Sequence, residues 1–180
     1  MWEFLKRWSA GHGRSHQAPA RHHVLCRITG HLWQGGYPEA ADFDTLRQEG
    51  VRWLINLDRP YPMESAAKIR GFHVINVTLP DAMKGRPEPW WQALAAVARA
   101  EHDLGEKVYI HCVAGVSRSA TLVWLHLVLG GMDRGAARRL IVKANPGALP
   151  GDPLIIDEGI IDAVFLLASR SRPQGYRSPS

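Results

Sequence analysis

Cysteine is scarce in this sequence: only Cys26 and Cys112 occur in 180 residues. Two thiols cannot form a disulfide framework, no CxxC pair points to zinc, and a reducing cytoplasm is the expected compartment. Long apolar runs are missing too. The most apolar stretches, LVWLHLVLGG (122–131) and GIIDAVFLLA (159–168), fall well short of the roughly 20 residues a spanning helix needs, so both are expected to be buried helices. The opening MWEFLKRWSAGHGRSH lacks the apolar core of a secretory signal. The middle of the chain also lacks excess positive charge. Of the net +5, residues 1–27 carry +4 and residues 168–180 carry +3, leaving −2 for the body between. A basic groove for nucleic acid is therefore not expected, although basic tails can still meet an acidic surface.

What is present is a composition of 46% hydrophobic and 22% charged residues, that of one globular domain. Residues 1–24, with four histidines (His12, His16, His22, His23) among Gly, Ser, Pro and Arg, are expected to form a disordered basic leader rather than a metal site. Trp2, Leu5 and Trp8 form an apolar stripe too short to assign. The domain is expected over 25–169, followed by a flexible basic tail over 170–180.

Within the domain, RITGHLWQGGYP suggests two short strands and a turn, and EAADFDTLRQEG a helix with Ala40, Phe43 and Leu46 inward. VRWLINL (51–57) and FHVINVTL (72–79) have the composition of strands, with a short helix near 63–70 between them. PDAMKGRPEP is a loop. WWQALAAVARAEHDLG is expected to be a helix presenting Trp91, Leu94, Ala95 and Ala98 on one face and ending before Gly105. After the strand KVYIHC come three helices, beginning near Arg118, at DRGAARRLIVKA and at PLIIDEGIIDAVFLLAS. Alternating strands and helices predict an α/β fold with a central, mostly parallel sheet of four to five strands flanked by helices.

In such a sheet, sites lie outside the carboxyl ends of the strands, and the stretch IHCVAGVSRSAT (110–121) stands there. A strand, a tight loop and a helix start would gather backbone N–H groups and the positive helix end around one concavity, an anion site. Gly115 permits the turn, Val113, Ala114 and Ser117 are small enough to leave the cup open, and Val116 completes the expected phosphate-binding loop. Arg118 adds a planar fork for two phosphate oxygens. Cys112 at the base is expected to be a thiolate at neutral pH, placed for in-line attack on phosphorus, with the Ser119 hydroxyl close enough to assist the sulfur as it leaves. A carboxyl must protonate the leaving oxygen and later activate water. Asp81, after the strand 72–79, is the favoured candidate because an adjacent strand's loop overhangs the cup, with Asp58 after the strand 51–57 as the alternative and Glu88 third.

HCVAGVSRS (111–119) resembles the signature of the cysteine-dependent protein tyrosine phosphatase superfamily: His-Cys, five residues, Arg, then Ser or Thr. Its small, uncharged loop is most similar to the dual-specificity phosphatases. The likeness extends over roughly 27–168, including the LWQGGYP opening, the INL strand and the Pro-Asp before the Trp-rich helix. It implies a metal- and cofactor-independent hydrolase in which Cys112 is the nucleophile, Arg118 the phosphate ligand, Ser119 the leaving-group assistant and Asp81 the general acid. His111 would be a structural neighbour that holds the loop and tunes the thiol. Cys26 is expected to be a small buried residue, with disulfide protection of Cys112 as the alternative.

The implied substrate is phosphotyrosine in proteins, with phosphoserine and phosphothreonine accepted if the cup is shallow. A phospholipid, phosphoinositide or nucleotide is the alternative, and a silent phosphate-binding module the third class. The absence of Lys and Arg between Cys112 and Arg118 favours the first, although Arg59, Lys84 and Arg86 can bring charge to the rim.

Overall fold

The protein is described here from a computed structural model, in which residues 25–60, 63–79 and 87–171 are described. The leader, the tail beyond residue 171 and the loop 80–86 with Asp81 lie outside the described residues.

Five strands form one sheet: β1 (Cys26–Arg27), β2 (Leu32–Gly35), β3 (Val51–Asn56), β4 (His73–Asn76) and β5 (Lys107–His111). Their order is β1-β2-β5-β3-β4, with β1 antiparallel to β2 and every other pair parallel. The expected mostly parallel sheet is thus found. β5, which leads into the Cys112 loop, lies at its centre between β2 and β3. The strand before Asp81 is therefore not next to β5, contrary to expectation: β3, whose loop carries Asp58, stands between them. Strand order is set by non-local pairing, which the sequence interval does not reveal.

Alternation along the central strands divides the core in two. Leu54 and Tyr109 face one side, where Phe43 and Leu46 of α1 (Ala40–Gln48), together with Ala67 of α2 (Met63–Ile69), cover the sheet. Ile55, Val108 and Ile110 face the other, covered by α3 (Glu88–Ala98), α4 (Arg118–Leu129), α5 (Arg134–Ala144) and α6 (Glu158–Ser171). α4 is buried from Arg118 through Val128, its polar residues Arg118, Ser119, Thr121 and His126 included. α6 runs into the stretch expected to be tail.

Two predicted faces are corrected. Alanine side chains carry weak orientation signals, and Ala40 is exposed while Phe43 and Leu46 fill the core. In α3 the buried stripe is Trp90, Ala93, Leu94 and Val97, one position away from the expected one, and Ala95 is exposed. With alanines at 93, 95 and 96, the large residues that reach the core, Trp90, Leu94 and Val97, decide the rotation. The helix does not stop as an α-helix either: it passes into a π-helical turn, Arg99–Asp103, where the Leu104 N–H donates to Arg99 O over 3.1 Å.

Candidate active site

The chain between β5 and α4 turns within six residues, and Gly115 makes the turn possible. Its φ is +72°, and a Cβ there would lie 2.5 Å from Gly35 C and 2.6 Å from Gly36 N. The loop thus sits directly on the backbone at the end of β2, an approach only glycine allows.

The loop's carbonyls are tied outward. Val113 O accepts from the Tyr37 N–H at 3.2 Å and Val116 O from the Leu149 N–H at 2.9 Å. Gly115 O accepts from Gln34 Nε2 at 2.6 Å and from Asn145 Nδ2 at 3.0 Å. Every described peptide is trans, so each N–H points opposite its neighbouring carbonyl. The N–H groups of Ala114, Val116 and Ser117 are accordingly directed away from these ties.

Cys112 is buried at its base, with Sγ 3.4 Å from Ser119 Oγ. Gln34 Nε2 donates to that hydroxyl at 2.8 Å, and the hydroxyl donates to Gly35 O at 3.1 Å. Ser119 has one proton and two candidate acceptors, Gly35 O and the sulfur, so its hydroxyl can turn from one to the other. Gln34 and Asn145 were not singled out from sequence. Gln34 had a signal, as the one polar side chain between the apolar residues and glycines of LWQGG; Asn145 had only its place at the end of a helix.

Arg118 is buried, and its Nη1 donates to Asp58 Oδ1 at 2.8 Å, to Leu79 O at 2.9 Å and to Leu57 O at 3.3 Å. Asp58 is itself placed by Asn56, whose side chain accepts the Asp58 N–H at 3.0 Å and bridges to Asn76 of β4 at 2.8 Å. The Tyr37 hydroxyl donates to Asp58 Oδ2. Burial pushes the Asp58 carboxyl up, but the hydrogen bonds from Tyr37 and Arg118 and the guanidinium charge more than offset it, holding the group below the usual carboxylate range.

His111 is buried between aromatic rings, stacked on Tyr109 at 5.5 Å and edge-on to Tyr37 at 5.8 Å. Burial lowers its pKa to about 3, against the opposing pull of a hydrogen bond to the Cys112 backbone and of the Asp58 charge. The ring is neutral at working pH and so provides packing, not positive charge, beside the thiol. Cys26 is buried in the apolar core, which pushes its thiol pKa up. Among the carboxyl candidates, Asp58 meets Arg118 directly, Glu88 lies exposed in the first turn of α3, and Asp81 lies outside the described residues.

The pattern of a cysteine at a strand end, a tight loop turned at Gly115 and an arginine opening the next helix coincides with a family match: residues 32–133 match the model of the dual specificity phosphatase catalytic domain. The chain belongs to this family. Among curated proteins, the dual specificity phosphatase domain found here is similar to Protein phosphatase Slingshot of Drosophila melanogaster, 27% identical over 146 residues, covering 77% of this chain and 13% of that protein. The chain therefore spans only a small part of such a relative. Among solved structures, human DUSP28 superposes with a TM-score of 0.67 at 22% identity, covering 82% of this chain and all of the other. PTPMT1 in complex with PI(5)P gives 0.62 at 19%, covering 80% and 94%. At these identities the structural likeness is one of fold.

Proposed function

We propose that this dual specificity phosphatase domain is an active, metal-independent phosphomonoesterase working through a phosphocysteine intermediate, with phosphotyrosine in proteins as its principal substrate and phosphoserine or phosphothreonine also accepted. The observation that carries this reading is the buried Cys112 Sγ, 3.4 Å from Ser119 Oγ, beneath a loop whose carbonyls are bound from outside.

In this reading the Cys112 thiolate attacks phosphorus, the P–O bond breaks, and the leaving oxygen takes a proton from Asp81. The N–H groups of the loop from Val113 to Ser117, with the Arg118 guanidinium, hold the three equatorial oxygens. Water then attacks phosphorus, giving its proton back to Asp81, while the Ser119 hydroxyl turns to the departing sulfur. Asp58 suits the acid role poorly, since a carboxyl held below its ordinary range by Tyr37 and Arg118 has no proton to give near neutrality. Its role is to position Arg118.

Apolar side chains at the mouth favour an aryl or peptide substrate: Val113 is 46% exposed and Leu149, tied to the loop through its N–H, 54%. The second reading, a phosphoinositide substrate, draws on the neighbour solved with PI(5)P and on Arg59 beside Asp58. No helix among the described residues is long and apolar enough to cross a membrane, and a reducing cytoplasm, where Cys112 persists as a thiol, suits the chemistry.

The test is hydrolysis of an aryl phosphate by the wild type and by Cys112→Ser, with chelator present, followed by a phosphotyrosine peptide, a phosphothreonine peptide and a phosphoinositide. Turnover by the wild type alone, fastest on phosphotyrosine, is expected. Preference for the phosphoinositide selects the second reading. Absence of all turnover, with retained phosphoester binding, makes the loop a binding cup.

A further inference from the structure

The π-helical turn after α3 places two adjacent side chains, Glu101 and His102, toward the last turn of α4, which an ordinary helical turn spreads farther apart. There Glu101 Oε2 lies 2.5 Å from His126 Nε2 and 3.9 Å from His102 Nε2. The two imidazoles are stacked, with centroids 5.4 Å apart and planes 26° from parallel. One ligand atom from each of the three residues lies within 4.8 Å of the others. His126 is buried on α4, Glu101 is largely buried, and His102 is open to solvent. All three share a cavity with Gly130, Gly131 and Met132, which leaves one side of the cluster accessible.

We propose that Glu101, His102 and His126 bind one divalent transition-metal ion of the zinc class, with water completing its coordination. Two imidazole nitrogens and one carboxylate oxygen are the donor set of three-ligand zinc sites, whereas magnesium and calcium require oxygen. In a tetrahedral site with bonds of about 2.0–2.1 Å, ligand atoms sit about 3.3 Å apart. The two separations to the Glu101 oxygen bracket that value, so a modest opening of the Glu101–His126 pair and a rotation of exposed His102 suffice. The Nε2 proton of His126 moves to Nδ1 or to solvent as the ion enters.

The surroundings favour a cation: the cluster stands beside the carbonyl end of α4, the negative end of its dipole. The site is separate from the phosphate cup: His126 is eight residues along α4 from Arg118, about 12 Å at 1.5 Å per residue. An ion there would brace the π turn against the helix whose first turn carries Arg118, without entering the chemistry.

Cobalt(II) is the probe, added to the 180-residue chain carrying Cys112→Ser so that the Cys112 thiol cannot bind it. The expected result is uptake of Co(II) with visible d–d absorption and a rise in Tm, and the loss of one equivalent and of that rise when Glu101→Gln or His102→Ala is added. The leader histidines are common to all these proteins and cancel in the comparison. His102 is exposed, and circular dichroism of His102→Ala checks that the fold is kept. Failure of the parent to take up Co(II), or equal stoichiometry and Tm shift in the parent and both variants, overturns the proposal. So does an equal rise with Mg(II), which has no preference for imidazole.

Discussion

Arg118 Nη1 lies 2.8 Å from Asp58 Oδ1, which joins the first turn of α4 to the loop after β3 across 60 residues of chain. The guanidinium is buried and the carboxylate partly so. Removing one partner of such a pair costs more than its net contribution, because the other charge is left desolvated. Asp58→Ala is therefore expected to destabilise the domain by about 3 kcal/mol, read by urea unfolding. It should also raise KM for every substrate by a similar factor, since Arg118 loses its orientation.

Asp81→Ala should behave differently. A general acid matters most when the leaving oxygen is basic, so the loss is expected to be about a hundredfold or more for an alkyl phosphate and far smaller for a nitrophenyl ester. Rates across a series of leaving groups make the comparison. A steep dependence in Asp58→Ala, with none in Asp81→Ala, reverses the two assignments.

Gly115→Ala tests the seating of the loop on β2. The new methyl would meet Gly35 C at 2.5 Å, from a backbone conformation alanine rarely adopts. Neither obstacle relieves the other. Turnover is expected to be lost, together with roughly 2–3 kcal/mol of stability, measured as a fall in the denaturation midpoint.

Gln34, Asn145 and Ser119 form a buried polar set around Gly115 O, with Asn145 Nδ2 donating to Gln34 Oε1 at 3.0 Å. Gln34→Ala removes the nearer of the two donors to Gly115 O and the donor to Ser119 Oγ, at a cost of about 1–3 kcal/mol. Because the Ser119 hydroxyl is then oriented less firmly, dephosphorylation of the cysteine should slow. Burst kinetics with an aryl phosphate should show a larger accumulated fraction of phosphoenzyme than in the wild type.

Acid should weaken the fold before the carboxylates titrate. His111 has a pKa of about 3 in the folded protein and an ordinary value of 6.5 when unfolded. Between these values the unfolded chain binds more protons, so stability is complete above about 6.5 and falls as the pH drops toward 3. Asp58, whose lowered pKa makes it lose stability only below its ordinary 3.8, adds to the loss at the acid end. Urea midpoints measured between pH 7 and 5 isolate the histidine contribution. His111→Gln should flatten that slope; an unchanged slope assigns it to another group.

The placement of Cys112, Gly115 and Arg118 around one loop was legible because that loop is a local object: strand end, tight turn and helix start follow one another within a dozen residues, and their spacing is their geometry. Element types were legible for a similar reason, since apolar periodicity is a short-range property. Tertiary structure decided what chain separation hides. Strand order put β3 beside β5 and so brought Asp58 to Arg118. Packing brought Asn145 to Gln34 across 111 residues, turned α3 onto Trp90 instead of Trp91, and widened its end into the π turn that faces His126. Each of these depends on which surfaces meet once the sheet has formed, and that pairing is decided by the burial of the whole core.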